Sequence, residues 1–331
     1  MIKVSVILPI FNAQDSIRES VMSILSQTIG DVEAVCVDDG STDGTPEILR
    51  ALARDDARVR IVTQRNQGAG VAQQAGLTEA QGEFVAFMGA DDWYCADDVL
   101  EKLYEAAKKN DVCICGGGWE THAADGTVRR RFEGEMKQLE PFVPARKIQF
   151  VDYQCHLGYT RFIFARDFLQ RNGIEFPDYW RFQDPPFFVK AMATAGEFYG
   201  VDFPVYAYRV GHKEIDWSVG NYRRLKDYLR GLADVFRLAD RFGLVELKRK
   251  LWDRCNGSYF TEIILSNGAK DGEVLPLVFD LNRVFSEWSG KPRLRCLQEI
   301  DVWLNKAVRI RRLRDCVIDL IPKFIRRIVR R

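Results

Sequence analysis

The stretch that decides the fold is GEFVAFMGADDW, from Gly82 to Trp93. Its apolar run, Phe84 to Met88, is bounded by glycine, which is typical of a short strand covered on both faces. Two adjacent acids, Asp91 and Asp92, follow the run. Ligands of open α/β sheets bind beyond the carboxyl ends of such strands, and neighbouring carboxylates repel each other unless a cation lies near them. The stretch therefore predicts a site for a divalent cation that carries a phosphate.

Three further strand and helix units precede this strand. Each begins with an apolar, strand-like run and continues through a polar loop into a segment of helical periodicity. The runs cover residues 3–10, 32–37 and 59–63. This alternation predicts an α/β fold built on a doubly wound, mostly parallel sheet. A helix capped by Asp97 or Asp98 and a fifth strand from Val112 to Cys115, ending at three glycines, extend the pattern.

The composition is that of an ordinary globular protein, with 47% hydrophobic and 29% charged residues in a chain of 331. The net charge of +1 hides an asymmetry, because residues 301–331 hold ten Lys/Arg against three Asp/Glu. The remainder of the chain is therefore mildly acidic, and we expect no nucleic-acid partner.

The cysteines and the N-terminus bear on localisation. The eight cysteines are scattered without the spacing of a zinc site, which is typical of reduced thiols in the cytoplasm. The first apolar run is too short for a signal-peptide core, and no run of 18 apolar residues occurs. We therefore expect a cytoplasmic protein without a membrane-spanning helix.

Four motifs in the first third of the chain resemble, in order and spacing, the signature of family 2 glycosyltransferases of the GT-A fold. They are VSVILPIFN at 4–12, VDDGSTDGT at 37–45, NQG at 66–68, and GEF at 82–84 leading to the acids at 91–92. Each motif alone is weakly specific, but four motifs in this order and spacing form a strongly specific signature. The resemblance implies a Rossmann-like nucleotide-binding half and an inverting enzyme that uses a nucleotide-sugar, usually a UDP-sugar.

The resemblance assigns three residues to the base of the donor nucleotide. The backbone and ring of Pro9 to Phe11 would flank the base, and Asp39 would accept a hydrogen bond from a base N–H. The alternative for Asp38 and Asp39 is a turn in which the acid only caps the following helix.

The same resemblance makes Asp91 and Asp92 the acidic metal site, which holds Mn²⁺ or Mg²⁺ and neutralises the diphosphate leaving group. We expect Asp92 to bind the metal and Asp91 to face the sugar or ribose of the donor. His212 is a further candidate ligand, with an ordinary surface histidine as its alternative. The chain departs from the family at Gly89, where an acid is common, and at Gln73, where an arginine is common. A solvated acidic cluster at the start of the next helix is the alternative for the whole site.

Asp184 is the predicted catalytic base. It precedes Pro185-Pro186 and an apolar helical run, which places it at a helix N-terminus, where family members often have their base. It would take the proton of an acceptor hydroxyl as that oxygen attacks the anomeric carbon. An ordinary helix-capping aspartate is the alternative.

Three regions are predicted along the chain: a catalytic domain over 1–217, a helical region over 218–300 and a basic amphipathic tail over 301–331. Such a tail can bind an anionic membrane surface, where lipid-linked acceptors are found; the alternative is a helix packed on its own domain. The expected acceptor is a glycan or a lipid-linked oligosaccharide of the cell surface.

Two other functions compete with the transferase. A non-catalytic nucleotide-sugar-binding scaffold of the same fold is compatible with the departures at Gly89 and Gln73. A phosphate-accepting receiver domain is disfavoured, because the sequence lacks a suitable lysine arrangement.

Overall fold

The structure is a computed structural model that describes residues 1–211, 216–267, 270–289 and 293–309. The chain divides into two compact units, Met1–Glu214 and Ile215–Arg331. The three-part division expected from the sequence stays a prediction.

The first unit is built on one mixed β-sheet with helices. Its strands, in the described part of the chain, are β1 (Val4–Ile10), β2 (Val32–Asp38), β3 (Val59–Thr63), β4 (Phe84–Phe87), β5 (Trp93–Tyr94), β6 (Ile114–Ala123), β7 (Val128–Arg129), β8 (Arg146–Gln149), β9 (Phe162–Ala165) and β10 (Glu197–Val210). Its helices are α1 (Ile17–Leu25), α2 (Thr45–Asp55), α3 (Ala69–Glu79), α4 (Val99–Asn110), α5 (Phe150–Tyr153), α6 (Arg166–Arg171) and α7 (Asp184–Ala195). The spatial order of the strands is β3-β2-β1-β4-β9-β6-β10-β5, with β7 beside β6 and β8 beside β10.

One half of the sheet is parallel, as predicted. Strand β1 pairs in parallel with β2 on one side and with β4 on the other, and β2 pairs in parallel with β3. Strands β1, β2 and β4 are buried along nearly their whole length. Burying each Val, Leu or Ile side chain contributes about 1.5–3 kcal/mol, which explains why these strands are continuously apolar rather than alternating. The predicted α/β fold is confirmed.

The other half of the sheet contains antiparallel pairs that the sequence did not predict. Strand β9 is antiparallel to both β4 and β6, and β5 is antiparallel to β10. The predicted end of the fifth strand at Cys115 is wrong, because β6 continues through all three glycines. A Cβ atom at Gly116 would lie 2.1 Å from the Phe162 ring, and one at Gly118 would lie 2.5 Å from Pro141. These glycines serve close packing inside the sheet rather than a turn.

Helix α3 lies directly on the parallel half of the sheet. A Cβ atom at Gly76 would come within 2.3 Å of the Ile7 side chain on β1, so a glycine is needed for the helix to approach the strand this closely. The approach brings the N-terminal turns of α3, including Gln73, next to the carboxyl edge of the sheet.

The second unit is helical in the residues that the structure describes, as predicted. Its helices are α8 (Val219–Arg241), α9 (Val245–Cys255), α10 (Ser258–Asn267), α11 (Val274–Ser289) and α12 (Arg295–Arg309). Helix α9 ends at Cys255, where the Asn256 side chain donates to the Trp252 carbonyl at 2.8 Å and the Gly257 N–H donates to the Arg254 carbonyl. In the described ranges no helix combines the length and the apolarity that crossing a bilayer requires. Residues 310–331 of the predicted tail lie outside the described residues.

Candidate active site

The parallel strands deliver polar residues to one edge of the sheet. Asp38 ends β2 and Asp39 follows it, Phe11 follows β1, and Asp91 and Asp92 come shortly after β4. The Asp39 N–H donates to the Ile10 carbonyl at 2.8 Å, which joins the ends of β1 and β2. Because the carboxyl ends of parallel strands meet at one edge, these residues share the position at which α/β proteins bind ligands.

Asp39 holds the glycine-containing loop that precedes α3. Its buried carboxylate accepts hydrogen bonds from Gln64 Nε2 at 2.7 Å and from the N–H groups of Gln67 and Gly68, both at 2.9 Å. Oδ1 takes two of these bonds and Oδ2 takes one. A carboxylate has about four acceptor positions, so Oδ2 retains one for a further donor. Asp38 accepts from the Ser41 N–H at 2.9 Å, which is the turn role given above as the alternative for this pair.

Phe11 stands at the rim of this edge with 47% of its surface exposed. The next residue, Asn12, has a φ of 50° and accepts from the Thr42 N–H at 2.8 Å, while its own N–H donates to Ser41 Oγ at 3.0 Å. Pro9 lies within β1, paired with Val37 of β2. The loop after β1 is thus fastened to the loop after β2, which leaves the Phe11 ring free to cover a ligand.

Asp92 is buried and is held by two donors of β10. Its Oδ2 accepts from the Tyr206 hydroxyl at 2.7 Å, and its Oδ1 accepts from the Arg209 N–H at 2.9 Å. The Tyr206 oxygen in turn accepts from the Gly89 N–H at 2.8 Å. A Cβ atom at Gly89 would lie 2.6 Å from Asp92 Oδ2 and 3.1 Å from Asp91 Oδ1. Both carboxylates therefore lean over the space that a side chain at position 89 would fill.

Arg209 ties the acidic loop to α1. Its Nε donates to the Asp91 carbonyl at 3.0 Å and its Nη2 to Glu19 Oε2 at 2.7 Å, while its guanidinium lies 4.8 Å from the Trp93 ring centre. The side chain of Arg209 thus fixes the backbone of the loop, and its backbone fixes the carboxylate of Asp92.

Asp184 is the first residue of α7 and is half-buried. The dipole of a helix favours a negative charge at this end. Phe182, two residues earlier, has a φ of 65°, a backbone conformation that costs about 1–3 kcal/mol for a bulky residue and occurs mainly at functional sites. The preceding segment packs on the loop held by Asp39, because a Cβ atom at Gly68 would lie 2.3 Å from the Trp180 indole.

The negative charges of Asp92 and Asp184 both act on two tyrosines, Tyr159 and Tyr208. Burial raises the pKa of Tyr159, and the negative charges of Asp184 and Asp92 raise it further. Burial also raises the pKa of Tyr208, followed by the charge of Asp92 and, more weakly, of Asp184. Asp92 at the end of the parallel half and Asp184 on α7 are therefore close to the same two phenols.

A divalent cation that brings its own phosphate oxygens fits this arrangement. In the residues that the structure describes, no group of three or more His, Cys, Asp or Glu side chains could enclose a metal, and His212 lies outside those residues. Asp91 and Asp92 offer hard carboxylate oxygens above the gap left by Gly89. Mg²⁺ is commonly held by one or two carboxylates together with substrate phosphates, so the two acids suffice for a cation of this kind.

The sequence did not single out Tyr206 or Tyr159. The signal for Tyr206 was present, since Tyr206 and Tyr208 are two apart on a strand and so point to one face of the sheet. Tyr159 gave no such signal, because it lies in a short turn before β9. Gln73, where the family resemblance implies an arginine, is buried and donates to the Tyr159 hydroxyl.

Comparisons with known proteins agree with this geometry. Residues 5–169 match the profile of the family described as "Glycosyl transferase family 2". The chain is 32% identical over 214 residues to "Uncharacterized glycosyltransferase EpsJ" of Bacillus subtilis, which covers 62% of this chain and 60% of that protein. It is 40% identical over 130 residues to "Putative teichuronic acid biosynthesis glycosyltransferase TuaG" of the same organism, covering 39% and 51%. The chain thus spans between half and three fifths of the length of these relatives.

Solved structures share the fold. Residues 1–349 of S. aureus TarS in complex with UDP-GlcNAc superpose with a TM-score of 0.66 at 19% identity, covering 86% of this chain and 82% of that one. The mannosyltransferase PcManGT from Pyrobaculum calidifontis, in complex with GDP-Man and Mn²⁺, gives 0.52 at 17% identity, covering 92% and 80%. At such low identity these similarities establish the common architecture.

Proposed function

Because the chain belongs to glycosyl transferase family 2 and has the GT-A fold, we propose that it is an inverting glycosyltransferase. It would move a sugar from a nucleotide-sugar, most simply a UDP-sugar, to a hydroxyl of a glycan or lipid-linked acceptor in the synthesis of a cell-surface polysaccharide. The structures of TarS in complex with UDP-GlcNAc and of PcManGT in complex with GDP-Man support a nucleotide-sugar donor.

One observation supports the proposal above the others. A buried, oriented carboxylate, Asp92, and a helix N-terminal carboxylate, Asp184, lie near the same two tyrosines. A scaffold that only binds a nucleotide needs the first acid but not the second. A transferase needs one group at the leaving diphosphate and another at the attacking hydroxyl.

Each part of the donor has residues suited to it. Asp39 Oδ2 would accept the N–H of the base while the Phe11 ring covers it and the backbone from Pro9 flanks it. Asp92, with Asp91 toward the ribose or sugar, would hold a Mn²⁺ or Mg²⁺ ion that arrives with the diphosphate. When bound, such an ion supplies positive charge that stabilises the diphosphate as it leaves.

Asp184 would act as the general base. The acceptor oxygen forms a bond to the anomeric carbon, the bond from that carbon to the diphosphate oxygen breaks, and the acceptor proton moves to the Asp184 carboxylate. Because attack and departure occur on opposite faces of the sugar, its anomeric configuration inverts. The position of Asp184 at the start of α7 keeps its backbone fixed during proton transfer.

A panel of nucleotide-sugars with the wild type and Asp184→Asn tests the function. UDP-GlcNAc, UDP-glucose and GDP-mannose are added with Mn²⁺ or with EDTA, and thermal stability and released nucleoside diphosphate are measured. We expect metal-dependent stabilisation by at least one donor. Asp184→Asn should bind that donor as the wild type does but turn it over roughly 10²- to 10⁴-fold more slowly, the usual contribution of a general base.

Asp167→Asn is the matched control, because Asp167 is an exposed acid of α6 paired with Arg171. It should behave as the wild type in both measurements. If no donor stabilises the wild type, the enzymatic function is wrong. If Asp184→Asn binds and turns over the donor normally, the assignment of the base is wrong. If the wild type binds a donor but does not turn it over, the non-catalytic scaffold is favoured.

A further inference from the structure

The ring of Tyr159 packs against the strand and the helix that lead to the two acids. It belongs to the short turn that leads into β9. Its ring centre lies 5.6 Å from that of Phe87 on β4 and 6.5 Å from that of Phe187 on α7. Phe87 and Phe187 also contact each other, with ring centres 5.4 Å apart. Strand β4 leads to Asp92 and helix α7 begins at Asp184, so the Tyr159 ring belongs to the aromatic cluster that joins these two elements.

The hydroxyl of Tyr159 is oriented by a buried amide. Gln73 Nε2 of α3 donates a hydrogen bond to the Tyr159 oxygen. Gln73 is 1% exposed, and its Oε1 has no hydrogen-bond donor among the residues that the structure describes. Within that part of the chain, the amide of Gln73 has Tyr159 as its polar side-chain partner.

This pair is a poor choice for stability. Burying an amide carries a desolvation cost that a single hydrogen bond offsets only in part, and an acceptor without a donor adds to that cost. Apolar side chains of the same shape would fill the space as well or better. A polar pair kept in such a place is therefore better explained by what it does than by what it stabilises.

The hydrogen bond from Gln73 leaves the hydroxyl proton of Tyr159 to donate elsewhere. No described residue accepts it. Burial, together with the charges of Asp184 and Asp92, raises the pKa of Tyr159, so the phenol keeps its proton at neutral pH. Tyr159 is thus a protonated, oriented hydrogen-bond donor within reach of the charges of both acids.

We propose that Tyr159 donates a hydrogen bond to an oxygen of the sugar being transferred, and that Gln73 is a positioning residue that holds the phenol for this contact. This inference rests on the proposed function, in which the sugar lies between the diphosphate at Asp92 and the acceptor hydroxyl at Asp184. The contacted group is a ring hydroxyl or an acetamido oxygen. Tyr159 would then contribute to the choice of donor sugar.

Isosteric variants test the inference on the full chain. Tyr159→Phe removes the hydroxyl, Gln73→Met removes the amide, and both keep the shape of the side chain. With a donor that the wild type uses among UDP-GlcNAc, UDP-glucose and GDP-mannose, Tyr159→Phe should lower kcat/KM about 10- to 100-fold. Each single variant leaves its buried partner without a hydrogen bond and should lower the melting temperature, whereas the melting temperature of the double variant should match or exceed that of the wild type.

The double variant and deoxygenated donors separate a contact from a packing effect. Because Gln73 acts through Tyr159, Gln73→Met should have a smaller effect, and the double variant should be no slower than Tyr159→Phe. The deoxy analogue that lacks the contacted oxygen should be used equally well by the wild type and by Tyr159→Phe. That analogue therefore identifies the oxygen that Tyr159 contacts.

Three results would overturn the inference. Normal donor kinetics in Tyr159→Phe would exclude the contact, and an equal loss with every deoxy analogue would show that no single sugar oxygen is read. Additive losses in the double variant would exclude a positioning role for Gln73. A wild type that binds and turns over no donor refutes the proposed function itself, which is a different result.

Discussion

Replacing Gly89 by alanine places a methyl group where the two acidic carboxylates now lean. The new Cβ would lie 2.6 Å from Asp92 Oδ2, well inside the separation of about 3.5 Å that carbon keeps from its neighbours. The carboxylate must withdraw by roughly 0.5–1 Å. This stretches its 2.7 Å hydrogen bond from Tyr206. A hydrogen bond to a charged group is worth about 1.5–3 kcal/mol, so we expect kcat/KM to fall about 10- to 100-fold.

Steady-state turnover of the donor over a series of Mn²⁺ concentrations measures this effect. The concentration for half-maximal rate should rise along with the loss of kcat/KM. Gly30→Ala is the control, because a Cβ atom there meets nothing within 4 Å. Gly89→Asp, which restores the acid common in the family, should be at least as slow as Gly89→Ala. If Gly89→Ala matches Gly30→Ala, or if Gly89→Asp is faster than the wild type, the space above Gly89 does not serve the site.

Two further predictions concern the loop before α3 and the tail. Gly68→Ala combines a φ of 94° with a Cβ atom 2.3 Å from the Trp180 indole, and should lower the free energy of unfolding in urea by about 2–4 kcal/mol. The control Gly126→Ala has a φ of 85° and open space around it, so its free energy of unfolding should fall by only about 1 kcal/mol. Equal losses in the two variants would exclude the contact with Trp180. The full chain should float with anionic liposomes and not with neutral ones, and removal of residues 310–331 should abolish its flotation with the anionic liposomes. If the truncated protein floats as the full chain does, the tail has no membrane role.

The parallel half of the fold could be predicted because its signals are local. Each of its strands is a continuous apolar run followed by a polar loop, and burial on both faces requires such a run. The other half, in which parallel and antiparallel pairs are mixed, depends on contacts between distant residues. Nothing in the four residues of β9 says that they pair with β4 and β6, and the glycines at 116–118 indicate a turn until the Phe162 ring is placed against them.

In the candidate site, too, some residues could be predicted from local sequence signals and others could not. Acids at strand ends and at a helix start can be found from position alone, and the structure places Asp39, Asp92 and Asp184 in those positions. Their roles remain proposals. The groups that orient them could not be found in this way, because Tyr206 is 114 residues from Asp92 and Tyr159 is 86 residues from Gln73. Hydrogen bonds over such distances follow from the tertiary fold.

The packing of Trp180 on Gly68 has a consequence for engineering this protein. Asp39 holds Gln67 and Gly68 by their backbone N–H groups, and Gly68 in turn supports the indole four residues before Asp184. A substitution of Asp39 meant to accept another base would also release this loop and disturb the segment that leads to Asp184. If Asp39 and Asp184 have the roles proposed for them, donor choice and acceptor chemistry are coupled through this contact, and a change of donor base has to be designed together with residues 177–184.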